Sequence, residues 1–158
     1  MGIINPFLWF DDQALEAAEF YTSVFPDSRI TKVTHYGEAG PGEAGSVMTV
    51  EFELDGDRFV ALNGGPHFQF NEAISLEIDC ASQEEVDHYW SVLAEGGEEG
   101  PCGWVKDRFG LSWQVVPVRL SELLADPDPA VSQGAMRAML DMRKIDIATI
   151  EEAAGVHA

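Results

Sequence analysis

A chain of 158 residues, 46% of them apolar, can form one domain, or one domain with a short appendage, around a real core. Its charges are lopsided, 9 Lys+Arg against 28 Asp+Glu for a net −19, and a field of that sign repels both nucleic-acid phosphates and anionic membrane surfaces. No apolar run approaches the roughly 20 residues that cross a bilayer, and Met1-Gly2-Ile3-Ile4-Asn5-Pro6 lacks the features of a signal peptide, so a cytoplasmic protein with neither nucleic acid nor membrane as partner is expected.

Residues 3–10 are apolar and short enough for a buried strand. Asp11-Asp12 can cap a following helix. Its stripe is Ala14, Ala17, Ala18, Tyr21, Val24 and Phe25, and Pro26 stops it. Residues 30–36 are β-branched and aromatic-rich. Residues 47–54 alternate, with Met48, Val50, Phe52 and Leu54 on one face and Glu51 and Glu53 on the other. Asp55-Gly56 is a two-residue hairpin signal that leads into a strand at 58–63. The first half reads βαβββ.

The second half starts alike. Ile74, Leu76, Ile78 and Cys80 alternate with Ser75, Glu77 and Asp79. Ser82-Gln-Glu-Glu85 is a capping box. The helix it opens carries Val86, Tyr89, Trp90, Leu93 and Ala94, and Gly96-Gly97 ends it. Strands follow at 103–107 and 111–116 around a turn at Arg108-Phe109-Gly110. A third strand, weakened by Gly and Glu, falls near 97–102. An offset of 68 residues aligns Tyr21 with Tyr89, Ser23 with Ser91 and Val24 with Val92. With the matching element order, this points to duplication. The predicted fold class is α+β: two βαβββ modules, about 1–66 and 71–117, forming a curved mixed sheet around a cup. The paired domain spans 1–117. Residues 118–158 form a C-terminal helical extension, with helices near 119–125, 129–142 and 146–154.

Cys80 and Cys102 have neither CxxC spacing nor a His-rich surround, so reduced, structural thiols are expected. Lys106 lies four residues beyond Cys102, about 13 Å along a strand, too far to activate it. Lys106 and Asp107 read as a turn or interface pair. Glu84-Glu85 and Glu98-Glu99 read as solvated charge runs.

Several segments together resemble the vicinal oxygen chelate superfamily of glyoxalases, ring-cleaving dioxygenases and bleomycin-resistance proteins, and within it the PhnB-like (demethylubiquinone methyltransferase-like) branch. They are Pro6-Phe-Leu-Trp-Phe10, Phe20-Tyr-Thr-Ser-Val-Phe-Pro26, Ala61-Leu-Asn-Gly-Gly-Pro66, Gln83-Glu-Glu-Val-Asp-His-Tyr-Trp90 and Cys102-Gly-Trp-Val-Lys-Asp-Arg-Phe-Gly-Leu-Ser-Trp-Gln-Val-Val-Pro117. Met136 to Glu152 resembles that branch as well. The resemblance implies the paired βαβββ fold and a homodimer, but no particular reaction. Methyl transfer with a nucleotide-type donor calls for a Gly-rich strand-to-helix turn. Gly64-Gly65 precedes a proline and Gly96-Gly97 follows a helix, so neither supplies one.

Active members of the superfamily hold a divalent metal with about three inward His, Glu or Gln side chains. Here the implied positions fall near Asn5, near Ala73 or Ser75, and on Gln114. Of the histidines, His35 lies mid-strand, His88 on a helix and His157 in the tail. His67 alone reads as near a cup rim. No metal is therefore expected. If one binds, Gln114, His67 and Asn5 are its candidate ligands. Alternation instead puts Ser112, Gln114 and Val116 on a polar cup face, and Phe59, Ala61 and Asn63 on the cup face of the earlier strand. Trp9, Phe68, Phe70 and Trp104 supply aromatic walls. Aromatics with a few amides suit a flat or amphipathic small molecule. The reading is a metal-independent, homodimeric small-molecule-binding protein. The alternative is a divalent-metal-dependent lyase, isomerase or dioxygenase with an atypical ligand set.

Overall fold

The structure is a computed structural model in which residues 2–156 are described; His157 lies outside the described residues. The chain divides into two compact units, one up to Phe70 and one from Asn71 on.

The first unit runs β1 (Phe7–Phe10), α1 (Ala14–Val24), β2 (Arg29–His35), β3 (Val47–Leu54) and β4 (Asp57–Asn63). Its sheet order is β1-β4-β3-β2. β1 lies parallel to β4 and the other pairs are antiparallel. The Asp55-Gly56 turn has φ of 49° and 84°, the left-handed pair that a tight hairpin needs. It sets Leu54 opposite Asp57, Phe52 opposite Phe59 and Val50 opposite Ala61. Directly opposed residues share a face. Val50, Phe52 and Leu54 are buried, as are Ala14, Ala17, Ala18 and Tyr21 of α1. Tyr21 stacks on Phe52 at 6.3 Å between ring centroids. Phe59, Ala61 and Asn63 therefore look toward α1, and Val60 and Leu62 look away. This reverses the expected facing of 58–63.

The start of α1 also differs from expectation. Gln13 occupies the N-cap position without a side-chain cap, and Asp11-Asp12 do not cap the helix. The remote Asn63 does part of that work: its Oδ1 accepts from Ala14 N at 2.8 Å and its Nδ2 donates to Val47 O at 3.1 Å.

The second unit repeats the plan with β5 (Leu76–Cys80), α2 (Gln83–Ala94), β6 (Glu98–Glu99), β7 (Trp104–Lys106) and β8 (Ser112–Pro117). Its order is β5-β8-β7-β6, with β5 parallel to β8. The fold is thus α+β, two βαβββ modules with identical strand order. The Ser82 half of the capping box forms, Ser82 Oγ accepting from Glu85 N at 3.2 Å, while Glu85 Oε2 reaches past the N-cap to accept from Ala81 N at 2.7 Å. The helices begin at Ala14 and Gln83, 69 residues apart. Tyr21 accordingly corresponds to the buried Trp90, while Tyr89 is only half-buried. The identities at offset 68 run one residue, about 100° of helix, out of structural register.

Three helices complete the second unit: α3 (Val118–Leu124), α4 (Pro129–Leu140) and α5 (Ile147–Ala154). Asp128 and Asp146 cap α4 and α5. Leu120, Leu123, Ala135, Ile145, Ile150 and Ala154 form one apolar cluster with Val116 of β8. α4 and α5 touch at Gly134, where a Cβ would lie 2.3 Å from Ala153 O. Alanine normally improves a helix by ~1 kcal/mol over glycine. Here overpacking reverses the sign, and Gly134→Ala is expected to destabilise by about 1–3 kcal/mol, read as a lower urea midpoint. A raised midpoint would refute the close crossing.

Candidate functional site

The last sheet presents two unlike faces. Trp113 and Val115 of β8 and Val105 of β7 are buried. On the opposite face Trp104 pairs in register with Gln114, and Lys106 with Ser112. Glu77 of β5 stands opposite Gln114 on that same face. A cavity of about 360 Å³ opens there. Trp104, Lys106 and Ser112 line it, with Glu72, Glu98 and Glu99 around them. Trp104 is half-buried and offers an aromatic wall.

Charge is fixed around this cavity. The Lys106 ammonium pairs with Glu72. That hydrogen bond, ahead of the Coulomb attraction, holds the Glu72 carboxyl below its ordinary 4.5. The same bond raises Lys106, with Glu98 adding to the field. Glu99 accepts from Trp90 Nε1 at 2.8 Å, so this acid is anchored from α2. Three carboxylates and one ammonium leave the lining net negative. Gly97 makes the geometry attainable, since a Cβ there would fall 2.0 Å from Lys106 O.

The hairpin that returns β7 to β8 is organised by Asp107, which is 2% exposed. Its Oδ1 accepts from Phe109 N at 2.8 Å and Leu111 N at 3.1 Å. Its Oδ2 accepts from Trp113 Nε1 at 2.8 Å. Sequence reading placed this residue at the turn but not in the interior.

The first unit holds the other candidates in separate places. Trp9 and Phe68 meet edge to face at 4.9 Å, and Trp9 Nε1 donates to Gly65 O at 2.9 Å. The Trp9 ring lies on Gly64, where a Cβ would come within 2.3 Å. Phe70 sits against Phe10 at 5.2 Å, on the strand pair that looks toward α1. Asn63 and His67 border a cavity of about 630 Å³, shared with Asp11, Asp12, Tyr36 and Glu43. Asn5 borders a different one, of about 220 Å³, with Arg58 and Phe59.

A divalent metal needs convergent donors. Asn5 and His67 border different cavities, and Gln114 Nε2 donates to Ser75 Oγ at 2.9 Å within the second unit. Among the described residues no three of His, Cys, Asp and Glu are grouped to hold an ion. This donor set does not fit a three-ligand centre. One carboxylate the sequence reading passed over does stand beside Gln114. It is Glu77, whose pKa is raised first by a hydrogen bond with Asp79 and then by burial. Its alternation with Leu76 and Ile78 was the available signal.

Two βαβββ modules with the same strand order, each with a helix over one sheet face, define a glyoxalase-like protein of the vicinal oxygen chelate class. The sequence model described as 3-demethylubiquinone-9 3-methyltransferase matches residues 3–116. The chain belongs to that family, the PhnB-like branch of the class. A PhnB protein from Bacillus cereus is 34% identical, with 73% of this chain covering 99% of that one at a TM-score of 0.66. Protein PA1353 from Pseudomonas aeruginosa is 21% identical (74% of this chain, 98% of that one, TM-score 0.62) and shares the fold. So does the fosfomycin resistance protein FosX from Listeria monocytogenes, at 18% identity (79% and 98%, TM-score 0.55). No curated protein matches. The family match stops at residue 116, short of the Met136–Glu152 stretch.

Two outcomes follow from this geometry. Asp107→Asn puts an NH2 group where only acceptors fit, and is expected to cost about 1–3 kcal/mol, measured by chemical denaturation. An unchanged midpoint would remove Asp107 from its organising role. The folded-state pKa of Glu72 is lowered, so the Glu72–Lys106 pair contributes in full above 4.5 and is lost as the pH falls through that lowered value. The carboxyl carbon of Glu72, followed by NMR, is expected to titrate below 4.5 and to return toward it in Lys106→Met.

Proposed function

We propose that the cavity of the second unit binds a small, flat, apolar molecule carrying a positive charge, and that it does so without a metal. The single observation that carries this reading is Trp104 standing as an aromatic wall beside a carboxylate-rich rim. A volume of about 360 Å³ suits such a ligand. A cation over an indole face gains roughly 0.5–2 kcal/mol. Anions meet Glu72, Glu98 and Glu99, and beyond them a chain of net charge −19.

The methyltransferase activity in the family's name does not transfer to this chain. The strand-to-helix turns are Asp11-Asp12-Gln13 and Ala81-Ser82, without glycine. At the second of them Ala81 N and Glu85 N are taken by Glu85 and Ser82 side chains. Gly64-Gly65 precedes Pro66 and Gly96-Gly97 follows α2, which argues against a nucleotide-type methyl donor.

The second reading is a metal-dependent lyase, isomerase or dioxygenase. Glu77 beside Gln114 favours it, and FosX, of the same fold, has been crystallised with Mn(II) and sulfate. The scattered donors described above weigh against it. The same proposal makes the protein a cytoplasmic homodimer. Two free cysteines suit a reducing compartment, and exposed apolar side chains at Phe7, Ile74 and Leu140 support the homodimer, which sedimentation equilibrium tests.

Titration with 1-naphthylmethylamine, followed by tryptophan quenching, tests the ligand reading. The amine is expected to bind at least tenfold tighter than 1-naphthoate. Trp104→Ala should lose about tenfold and Glu98→Gln a few-fold, with weakening at high salt. Equal binding of amine and carboxylate, or indifference to Trp104→Ala, rejects it. Calorimetric titration with Mn, Fe, Co, Ni and Zn should give no stoichiometric heat; a stoichiometric site would favour the second reading.

A further inference from the structure

Beyond the family match, the three C-terminal helices reach back to the cavity wall. Between α4 and α5 runs a connector from Asp141 to Asp146. Met142 O accepts from Cys102 N at 2.8 Å, and Arg143 O accepts from Gly103 N at 2.8 Å. Those donors belong to a left-handed turn, with φ of 57° at Cys102 and 86° at Gly103. A cysteine holds that conformation only where its surroundings enforce it. Ile145 of the connector is fully buried against Gly103, where a Cβ would lie 3.2 Å from Ile145 Cγ1. The next residue is Trp104, the cavity wall.

The connector is itself fastened to α2. Gln83 Nε2 donates to Ile145 O at 3.0 Å, and Gln83 Oε1 accepts from Ile147 N at 2.8 Å. One amide side chain thus grips the backbone on both sides of Asp146. Lys144 pairs with Asp87 at 2.8 Å on the same helix. Gln83 does not line the cavity.

We infer that the C-terminal helices are a positioning element for the cavity: the 142–145 connector, latched by Gln83, holds the Cys102–Gly103 turn and so fixes where Trp104 stands. Gln83 is a positioning residue, acting through the turn. The inference rests on the ligand reading only for the use to which Trp104 is put.

The test uses the full chain labelled with 5-fluorotryptophan. Four resonances arise from Trp9, Trp90, Trp104 and Trp113, and Trp104→Phe identifies its own. In Gln83→Ala the Trp104 resonance is expected to shift or broaden while the other three stay. Gln83→Met keeps the length of the side chain and loses both bonds to the connector, so it should move the Trp104 resonance as well and guards against an alanine variant that fails to fold. Alkylation by iodoacetamide should quicken at least three-fold in Gln83→Ala. That rate reports Cys102, because Cys80 is buried and its thiol is pushed up to about 12. A Trp104 resonance unmoved in both variants overturns the inference, as does equal movement of all four. The spectra are recorded without ligand. Failure of 1-naphthylmethylamine to bind the parent protein therefore rejects the ligand reading alone, and a moved Trp104 with unchanged amine affinity overturns the link from latch to cavity.

Discussion

Parallel pairing of the first strand of each module with its last is the constraint on which the rest of the structure depends. A chain that returns parallel to itself must cross over one face of its sheet, and α1 and α2 make that crossing. One face of each sheet is thereby committed to apolar packing. The other is left to whatever the alternate residues supply. In the second unit those are Trp104, Lys106, Ser112, Gln114 and Glu77. The candidate site is the uncommitted half of a strand pattern.

How much of this could be read from the sequence depended on whether polar residues marked the faces. β8 was legible because Ser112 and Gln114 alternate with Trp113 and Val115. The stretch Phe59-Val60-Ala61-Leu62 carries no such mark, so its facing came out reversed. Asn63 was a reasonable buried amide in need of partners. Its partners proved to be Ala14 N and Val47 O, which no local pattern reveals. The duplication was legible in element order, but the identities that suggested it lay one residue out of register. The cavity rim was the least legible part. Glu98 and Glu99 are exposed, as a solvated charge run should be, but nothing in the run marks a cavity rim. Only strand pairing puts Glu98 opposite Lys106, and only the fold brings Glu99 to Trp90.

Family membership and function separate cleanly in this protein. The family match and the shared topology establish ancestry and fold. Chemistry resides in the side chains on the free face, which the fold alone does not specify. A metal-binding relative of the same fold needs convergent ligands. The free face of this chain's second unit carries an indole, a lysine–glutamate pair and further carboxylates.

The two modules also diverge in a way that accounts for where the cavity lies. In the first, the second and third strands have seven and eight residues. In the second, their counterparts β6 and β7 have two and three. The short strands leave space beside Trp104, and the intervening turn keeps only a few hairpin bonds, among them Gly100 N to Trp104 O and Trp104 N to Pro101 O. The turn holds Cys102 and Gly103 at positive φ, and those hairpin bonds leave the two residues' N–H groups over. Its N–H groups find Met142 O and Arg143 O instead. Short strands and C-terminal helices meet in one arrangement: the pocket opens where regular pairing is brief, and the connector takes up the two N–H groups next to its wall.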